Sequence, residues 1–410
     1  LTLPTGALQL AIGGGWRDES YRLDSKTSAS VTVGSRNVGY LFAEALVPLV
    51  APSEERAGLH ALDLSLSGRF EDYSDFGSTS TPKVGLRYVP AKGVTLRSTW
   101  GESFKAPSFQ QLVSGRTAVV NRAAVYGYTG GGTAILAQGG NPDLVPERST
   151  SWTAGIDWAP PALSSLTIGL TYFNIDYTDR VVSPISPVSA ALSNPAYAPF
   201  VTLNPSAALQ QDVIDAADIY LNLSGAPYDP DSVVAVIRNA YANATSQQVQ
   251  GVDFSYRQDF ALPSGQLSAF ANATWTEMKQ QTLSTLPEVE RSGTINNVPE
   301  LRVRAGATWE VADFTLTGIA NFVSGSTDTG VVPSQSIHSW TTFDGNLSYR
   351  FPDVSGSWAG VDATLSLSNL FDADPPYAAS PNRLYQGIYF DTTNASAIGR
   401  TIALTLRKRF

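Results

Sequence analysis

The 410-residue sequence has no cysteine, one methionine and two histidines, and only 15% of its residues are charged. Each shortage excludes something. Without cysteine there is no disulfide scaffold and no zinc ribbon. A net charge of −9 argues against a nucleic-acid binder, which needs a cationic surface. No stretch approaches 18 consecutive apolar residues, so no transmembrane helix is readable; the best run, Val38 to Val50, is broken by Glu44 and Pro48. With 43% apolar residues the chain is also too hydrophobic to be disordered. What remains is rich in aromatics and in turn residues, with a mean hydropathy of −0.06. It reads as either a large soluble β protein or a membrane β-barrel.

Alternation of period two recurs along the chain. Leu62, Leu64 and Leu66 alternate with Asp63, Ser65 and Ser67. Val94, Leu96 and Trp100 alternate with Thr95, Arg97 and Thr99, and Trp152, Ile156 and Trp158 with Thr153, Gly155 and Asp157. Leu301, Val303, Ala305, Ala307 and Trp309 alternate with Arg302, Arg304, Gly306 and Thr308. At the end, Ile402, Leu404, Leu406, Lys408 and Phe410 share one face. These segments predict an all-β chain of roughly 14 antiparallel strands, many long enough to cross a bilayer when tilted. A soluble sandwich would point the apolar face into a shared core and use shorter strands. A barrel would point it at lipid, with Trp and Tyr near the strand ends.

The connections sharpen the choice. Short turns are read at Val89–Gly93, Pro160–Ser165, Pro263–Gly265 and Ala312–Asp313. Long ones run over Pro107–Glu147, Val181–Gln248, Lys279–Pro299 and Pro375–Gly399. Short turns on one side and long loops on the other is the outer-membrane arrangement, with the turns periplasmic and the loops extracellular. The longest loop is expected to carry two helices. One follows Asn204-Pro205, with Leu209, Val213, Ala217 and Tyr220 at helical spacing; the other follows Asp229-Pro230, with Val233, Val234, Ile237 and Tyr241.

Several segments resemble the TonB-dependent outer-membrane receptors of Gram-negative bacteria. GESFKAPSFQQL from Gly101, NPDLVPERSTSWTAGIDW from Asn141 and YFNIDYTDRV from Tyr172 look like family strands. So do VQGVDFSYR from Val249, NVPELRVRAGATW from Asn297, LSLSNLFDADPPYA from Leu365 and the closing GRTIALTLRKRF. Each match is weak alone, but seven in the family's order are specific. The family fold is a barrel of roughly 22 strands plugged by an N-terminal domain. The resemblance implies that residues 1–410 are the C-terminal portion of such a barrel, without the plug and the first strands. The first residue is Leu and no signal segment follows it, which fits that expectation.

The resemblance implies active uptake of a large scarce solute of the iron-siderophore, cobalamin or saccharide type, bound by the extracellular loops and lumen, with no enzymatic step and no cofactor. The implied partners are outer-membrane lipid, the receptor's own plug, the TonB energy-coupling complex, the barrel assembly machinery and a small-molecule ligand. The alternative is a passive porin-like channel. His60 and His338 stand alone in sequence, whereas a catalytic metal site needs about three protein ligands. Asp372 and Asp374, before Pro-Pro, read as a turn rather than as cation ligands. Arg69, Arg87, Arg97, Arg302 and Arg304 fall on the polar strand face as lumen or plug contacts. The loop aromatics Phe109, Tyr126, Tyr128, Tyr197, Tyr228 and Tyr385 are candidates for the ligand, and the terminal Phe410 for the assembly signal.

Overall fold

The computed structural model describes residues 2–3, 5–25, 30–51, 57–163, 165–352, 360–380 and 387–408. Fourteen strands form one antiparallel meander. They are β1 (Gln9–Ser25), β2 (Ser30–Val50), β3 (Ala61–Tyr73), β4 (Gly77–Ala91), β5 (Val94–Lys105), β6 (Glu147–Trp158) and β7 (Thr167–Val182), then β8 (Ala242–Leu262), β9 (Gly265–Gln281), β10 (Leu301–Val311), β11 (Phe314–Val323), β12 (Trp340–Arg350), β13 (Val361–Ser368) and β14 (Thr401–Lys408). Each pairs with the next in the chain, and β1 and β14 lie at the two ends of the strand order. A two-residue strand, Val289–Glu290, adds to the upper part of β9.

Register shows what the alternation is for. Residues directly opposite each other in a sheet share a face. One row runs Leu62, Tyr88, Leu96, Ile156, Leu170, Phe254, Ala273, Val303 and Phe322 from β3 to β11. Its large side chains include Leu96, Ile156, Leu170 and Phe254, all exposed in the isolated chain. Aromatics flank this row at two levels. Trp100 faces Trp152 on one side, and Trp158, Trp309 and the Phe314–Tyr349 pair lie on the other. Trp152 and Trp158 are six positions apart, about 20 Å along the strand. An apolar band between two aromatic girdles is the lipid face of a membrane barrel.

The strand ends divide into two kinds. At one end the connections are tight: residues 92–93, 263–264 and 312–313, with 51–60, 159–166 and 351–360 the longer ones. Ala312 takes a left-handed φ of 48° in its two-residue hairpin, where the primed turns that match sheet twist require it. At the other end lie the long connections 106–146, 183–241, 282–300, 324–339 and 369–400, beside two short ones, 26–29 and 74–76. The strands β2 and β8, at 21 residues each, are about twice the length a bilayer requires.

Two of the long loops build a second sheet. Residues 106–146 supply Thr117–Arg122 and Thr133–Gly139; residues 183–241 supply Val201–Leu203, Ile219–Asn222 and Val233–Ala240. These five form a mixed sheet, with Thr133–Gly139 parallel to Val233–Ala240 and Thr117–Arg122 parallel to Ile219–Asn222. Apolar residues pack on both sides of it. Val119, Tyr126, Leu136, Tyr197, Ile237 and Leu283 fill one core; Val120, Ile135, Val233 and Val236 fill the other, under Val213, Ile214 and Tyr228. We call this unit the cap.

One expected helix is present and one is not. Ala207–Asp215 is helical, with Ser206 as N-cap, its hydroxyl accepting from Leu209 N–H. The helix stops earlier than its spacing predicts, and Tyr220 lies on a strand. The second predicted helix is a correction: Pro230–Ser232 makes one 3-10 turn, and Val233–Ala240 is the strand beside the cap's centre. Val233, Val234, Ile237 and Tyr241 match helical spacing only because a strand buried on both faces has apolar residues at odd and even positions alike. Its β-branched run favours the extended form.

Candidate functional site

The polar face carries the arginines. A row one residue away from the lipid row runs Asp63, Arg87, Arg97, Gly155, Thr171, Asp253, Thr274, Arg302, Val323 and Trp340, from β3 to β12. Arg69 and Arg304 are six and two residues from members of this row in their own strands, so all five predicted arginines share the polar face. Arg87 meets Asp63 at 2.8 Å, and Arg97 meets Asp157 at 2.9 Å and Thr171 Oγ1 at 2.6 Å. Arg69 pairs with Glu71 and stacks 4.0 Å from the Tyr40 ring centre. Arg304 is opposite Asn272 and Asn321.

Two further arginines on this face belong to the same group. Arg17 and Arg36 both reach Glu19 at 2.7 Å, and Arg17 also donates to the Tyr73 hydroxyl at 3.0 Å. Arg36 approaches Asp75 at 3.4 Å and lies over the rings of Tyr73 and Phe109. The even spacing of Arg17 and Glu19 was the sequence signal for them.

Aromatics on the same face lie flat. A Cβ added to Gly13 would strike the Phe42 ring, one on Gly15 the Tyr40 hydroxyl and one on Gly251 the Phe173 ring, each within 2.6 Å. In each case the glycine on one strand leaves room for the ring of its neighbour. The wall is therefore low: rings rest along it instead of filling the space it encloses.

The loop aromatics separate into distinct environments. Phe109 starts the helix Phe109–Val113, closed by a capping box between Ser108 and Gln111. Its ring stacks on Tyr21 at 5.9 Å and fills the notch left by Gly34, while Arg36 donates to Pro107 O at 3.0 Å. Phe109 thus anchors loop 106–146 to the inner side of β1 and β2. Tyr126 and Tyr197 are core residues of the cap, at 3% and 4% exposure. Burial pushes the Tyr126 hydroxyl up from its ordinary pKa, and the Tyr197 hydroxyl donates to Ser186 O at 2.7 Å. Tyr128 packs against the same core. Tyr228 donates to the buried Gln210 Oε1 at 2.7 Å, and Gln210 in turn bridges Pro205 O and Pro230 O. Tyr385 and Phe410 lie outside the described residues.

Sequence reasoning read Asp372 as a turn residue but missed the others that clip the remaining loops together. Asn369 and Asp372 both adopt left-handed φ. The Asn369 side chain exchanges hydrogen bonds with the Ala373 backbone in both directions, and Asp372 Oδ1 accepts from Arg400 N–H at 2.6 Å. The NLFD run therefore closes the base of loop 369–400. Buried Asp328 accepts from Ser380 N–H at 2.8 Å, Ser380 Oγ at 2.7 Å and Gly330 N–H at 2.9 Å. Burial raises its pKa, but these donors outweigh burial and hold it below the usual aspartate range. Asp391 accepts from Asn296 N–H at 3.1 Å, and Asn394 donates to Asn297 O at 2.7 Å. Beneath residues 391–395 lies a small pocket of about 20 Å³ lined by Val323, Ile337, His338, Trp340, Pro299 and Pro376 among others. Asp374, like Asp372, sits in the turn region after β13.

The chain matches the family described as TonB dependent receptor-like, beta-barrel, over residues 2–370. It is 27% identical over 157 residues to the ferric enterobactin receptor of Pseudomonas aeruginosa, covering 38% of this chain and 19% of that protein. It is 29% identical over 127 residues to a probable TonB-dependent siderophore receptor of Acinetobacter baumannii, covering 30% and 15%. Among solved structures it resembles the Pseudomonas aeruginosa ferric enterobactin receptor bound to enterobactin, with a TM-score of 0.65 at 17% identity, covering 99% of this chain and 52% of that one. The Acinetobacter baumannii siderophore receptor PirA gives 0.64 at 15% identity, covering 99% and 52%. The chain thus spans about half the length of these solved receptors and less than a fifth of each curated relative is aligned to it. The matched profile, the lipid band between aromatic girdles and the split between short turns and long loops agree: the chain belongs to the TonB-dependent receptor family, as an outer-membrane β-barrel.

Proposed function

We propose that this barrel serves in TonB-dependent uptake of an iron–siderophore complex across the outer membrane, the ligand being received by the extracellular loops and the polar wall. The observation that carries this reading is the family membership together with relatives named as ferric enterobactin and siderophore receptors. The wall supports it. Ion-paired arginines and rings laid over glycines give a low, polar, hydrogen-bonding surface suited to enclosing a folded plug. In this reading the fourteen strands are the C-terminal part of a larger barrel. A plug and further strands complete it, TonB acts through the plug, and Phe410 carries the assembly signal. A passive channel is not favoured, because the related proteins are receptors.

The test is growth. A strain lacking the gene and its own siderophore synthesis is supplied with ferric enterobactin as sole iron source. Restoration by the gene and loss on removal of TonB are expected. Growth that is independent of TonB would return the reading to a passive channel.

A further inference from the structure

Asn394 joins three parts of the mouth. Its Nδ2 donates to Asn297 O at 2.7 Å and to Asp391 Oδ2 at 2.8 Å, and its Oδ1 accepts from Arg302 Nη2 at 3.1 Å. The last contact differs from those made by Arg87 and Arg97, which are held by carboxylates of the wall itself. Arg302 reaches out to a neutral loop amide, a bond assisted by charge on the donor only; a carboxylate or phenolate oxygen would add charge on the acceptor and allow a two-pronged contact. Next in the same row stand Val323 and Trp340, which line the pocket under residues 391–395. The Trp340 indole N–H is shielded from solvent and has no hydrogen-bond partner among the described residues. An unmatched buried donor costs about 1–3 kcal/mol. A guanidinium on a neutral acceptor and an unmatched N–H thus stand two strands apart, at one level of the wall.

We propose that Arg302 and Trp340 form a ligand subsite at the lumen mouth. The Asn394 amide fills it as a stand-in, and an anionic, oxygen-rich group of the transported molecule displaces it. The inference deepens the uptake reading and rests on it. The exchange is non-covalent: a charged acceptor replaces a neutral one at Arg302, and a further oxygen satisfies Trp340. Because Asn394 also holds Asn297 O, displacement loosens loop 282–300 from residues 391–395.

Two measurements on the full-length receptor test this, with heat-modifiable mobility confirming that each variant folds. The first is binding of ferric enterobactin in outer-membrane vesicles. Asn394→Ala tightens binding, while Arg302→Gln weakens it about tenfold, a step of about 1.4 kcal/mol. The double variant behaves like Arg302→Gln. Equal weakening by Asn394→Ala would make Asn394 a brace and overturn the proposal.

The second measurement needs no siderophore. Residues 1–410 have no cysteine, so with any cysteine elsewhere in the receptor replaced by serine, Val323→Cys places a lone thiol in the pocket. Its labelling by an anionic methanethiosulfonate is expected to rise about tenfold with Asn394→Ala, and that gain disappears when Arg302→Gln is added, because the guanidinium attracts the anion. An unchanged rate overturns the stand-in whatever the receptor carries. The expected thiol result without ferric enterobactin binding overturns the choice of ligand in the uptake reading and leaves the subsite standing.

Discussion

The barrel and the cap use the same local device for opposite ends. In both, apolar residues recur along extended strands. In the barrel those residues face outward: Leu170 is 45% exposed in the isolated chain, and lipid is its solvent. In the cap Ile135 and Ile237 are fully buried on opposite sides of one sheet. The difference teaches that alternation identifies a strand without saying which side is dry. Two features separate the cases here. Most barrel strands alternate apolar against polar, with aromatics near their ends. Val233–Ala240 is apolar on both faces, as a strand beneath two cores must be.

That comparison can be broken in graded steps. The largest effect is expected from Ile237→Asp, which buries an unpaired charge in the cap and costs several kcal/mol. Protease sensitivity between residues 106 and 241 should rise while the barrel keeps its heat-modifiable mobility; loss of both would show that the two regions fold as one unit. Next comes Leu170→Arg on the lipid band, at about 2–4 kcal/mol near the bilayer midplane. Denaturant titration in lipid vesicles measures it, and a neutral result would move the band away from Leu170. On the polar face, Gly13→Val displaces the Phe42 ring, and overpacking of this kind costs about 1–3 kcal/mol. The same assay reads it, with recovery expected from adding Phe42→Ala.

Asp328 gives a pH test of the loop clip. Its pKa is depressed in the folded state, so the clip is fully present above the ordinary aspartate range, near 3.9. It is lost as pH falls through the lower folded value. Hydrogen exchange at Gly330 and Ser380 should therefore accelerate only in strong acid, and Asp328→Asn should abolish that dependence. The smallest effect belongs to Arg97→Gln. Its pair with Asp157 is about half exposed, so roughly 0–1 kcal/mol is expected in the same denaturant titration.

The strands were legible because register inherits the parity of the sequence. The shared face of Arg87, Arg97, Arg302 and Arg304 follows from counting, since a one-residue slip would have sent the arginines into lipid. The helix Ala207–Asp215 was legible from its spacing, less so its end. The cap was not legible. Its strands come from two loops and pair in parallel across about a hundred positions, as the Thr133–Ser232 hydroxyl contact shows, and no local pattern records that partner. For the same reason Tyr126 and Tyr197 could not be told from ligand-facing rings. Asp328, Asp391 and Asn394 were silent for another cause: each is a lone polar residue in a polar loop, and only its partners give it meaning. Tyr385 and Phe410 lie outside the described residues.

The parallel pairing in the cap also sets an order of events. Every strand of the meander closes onto its neighbour in the chain, whereas Thr133–Gly139 must wait for Val233–Ala240. Bringing those segments together from an unfolded chain means closing a loop of about a hundred residues, an entropic cost that grows with length and is unrewarded until contact is made. Once β6, β7 and β8 have zipped, the roots of both loops stand side by side and the loop to be closed is far shorter. Assembly of the cap is thus expected to be the late, slow phase of maturation, templated by the membrane sheet beneath it.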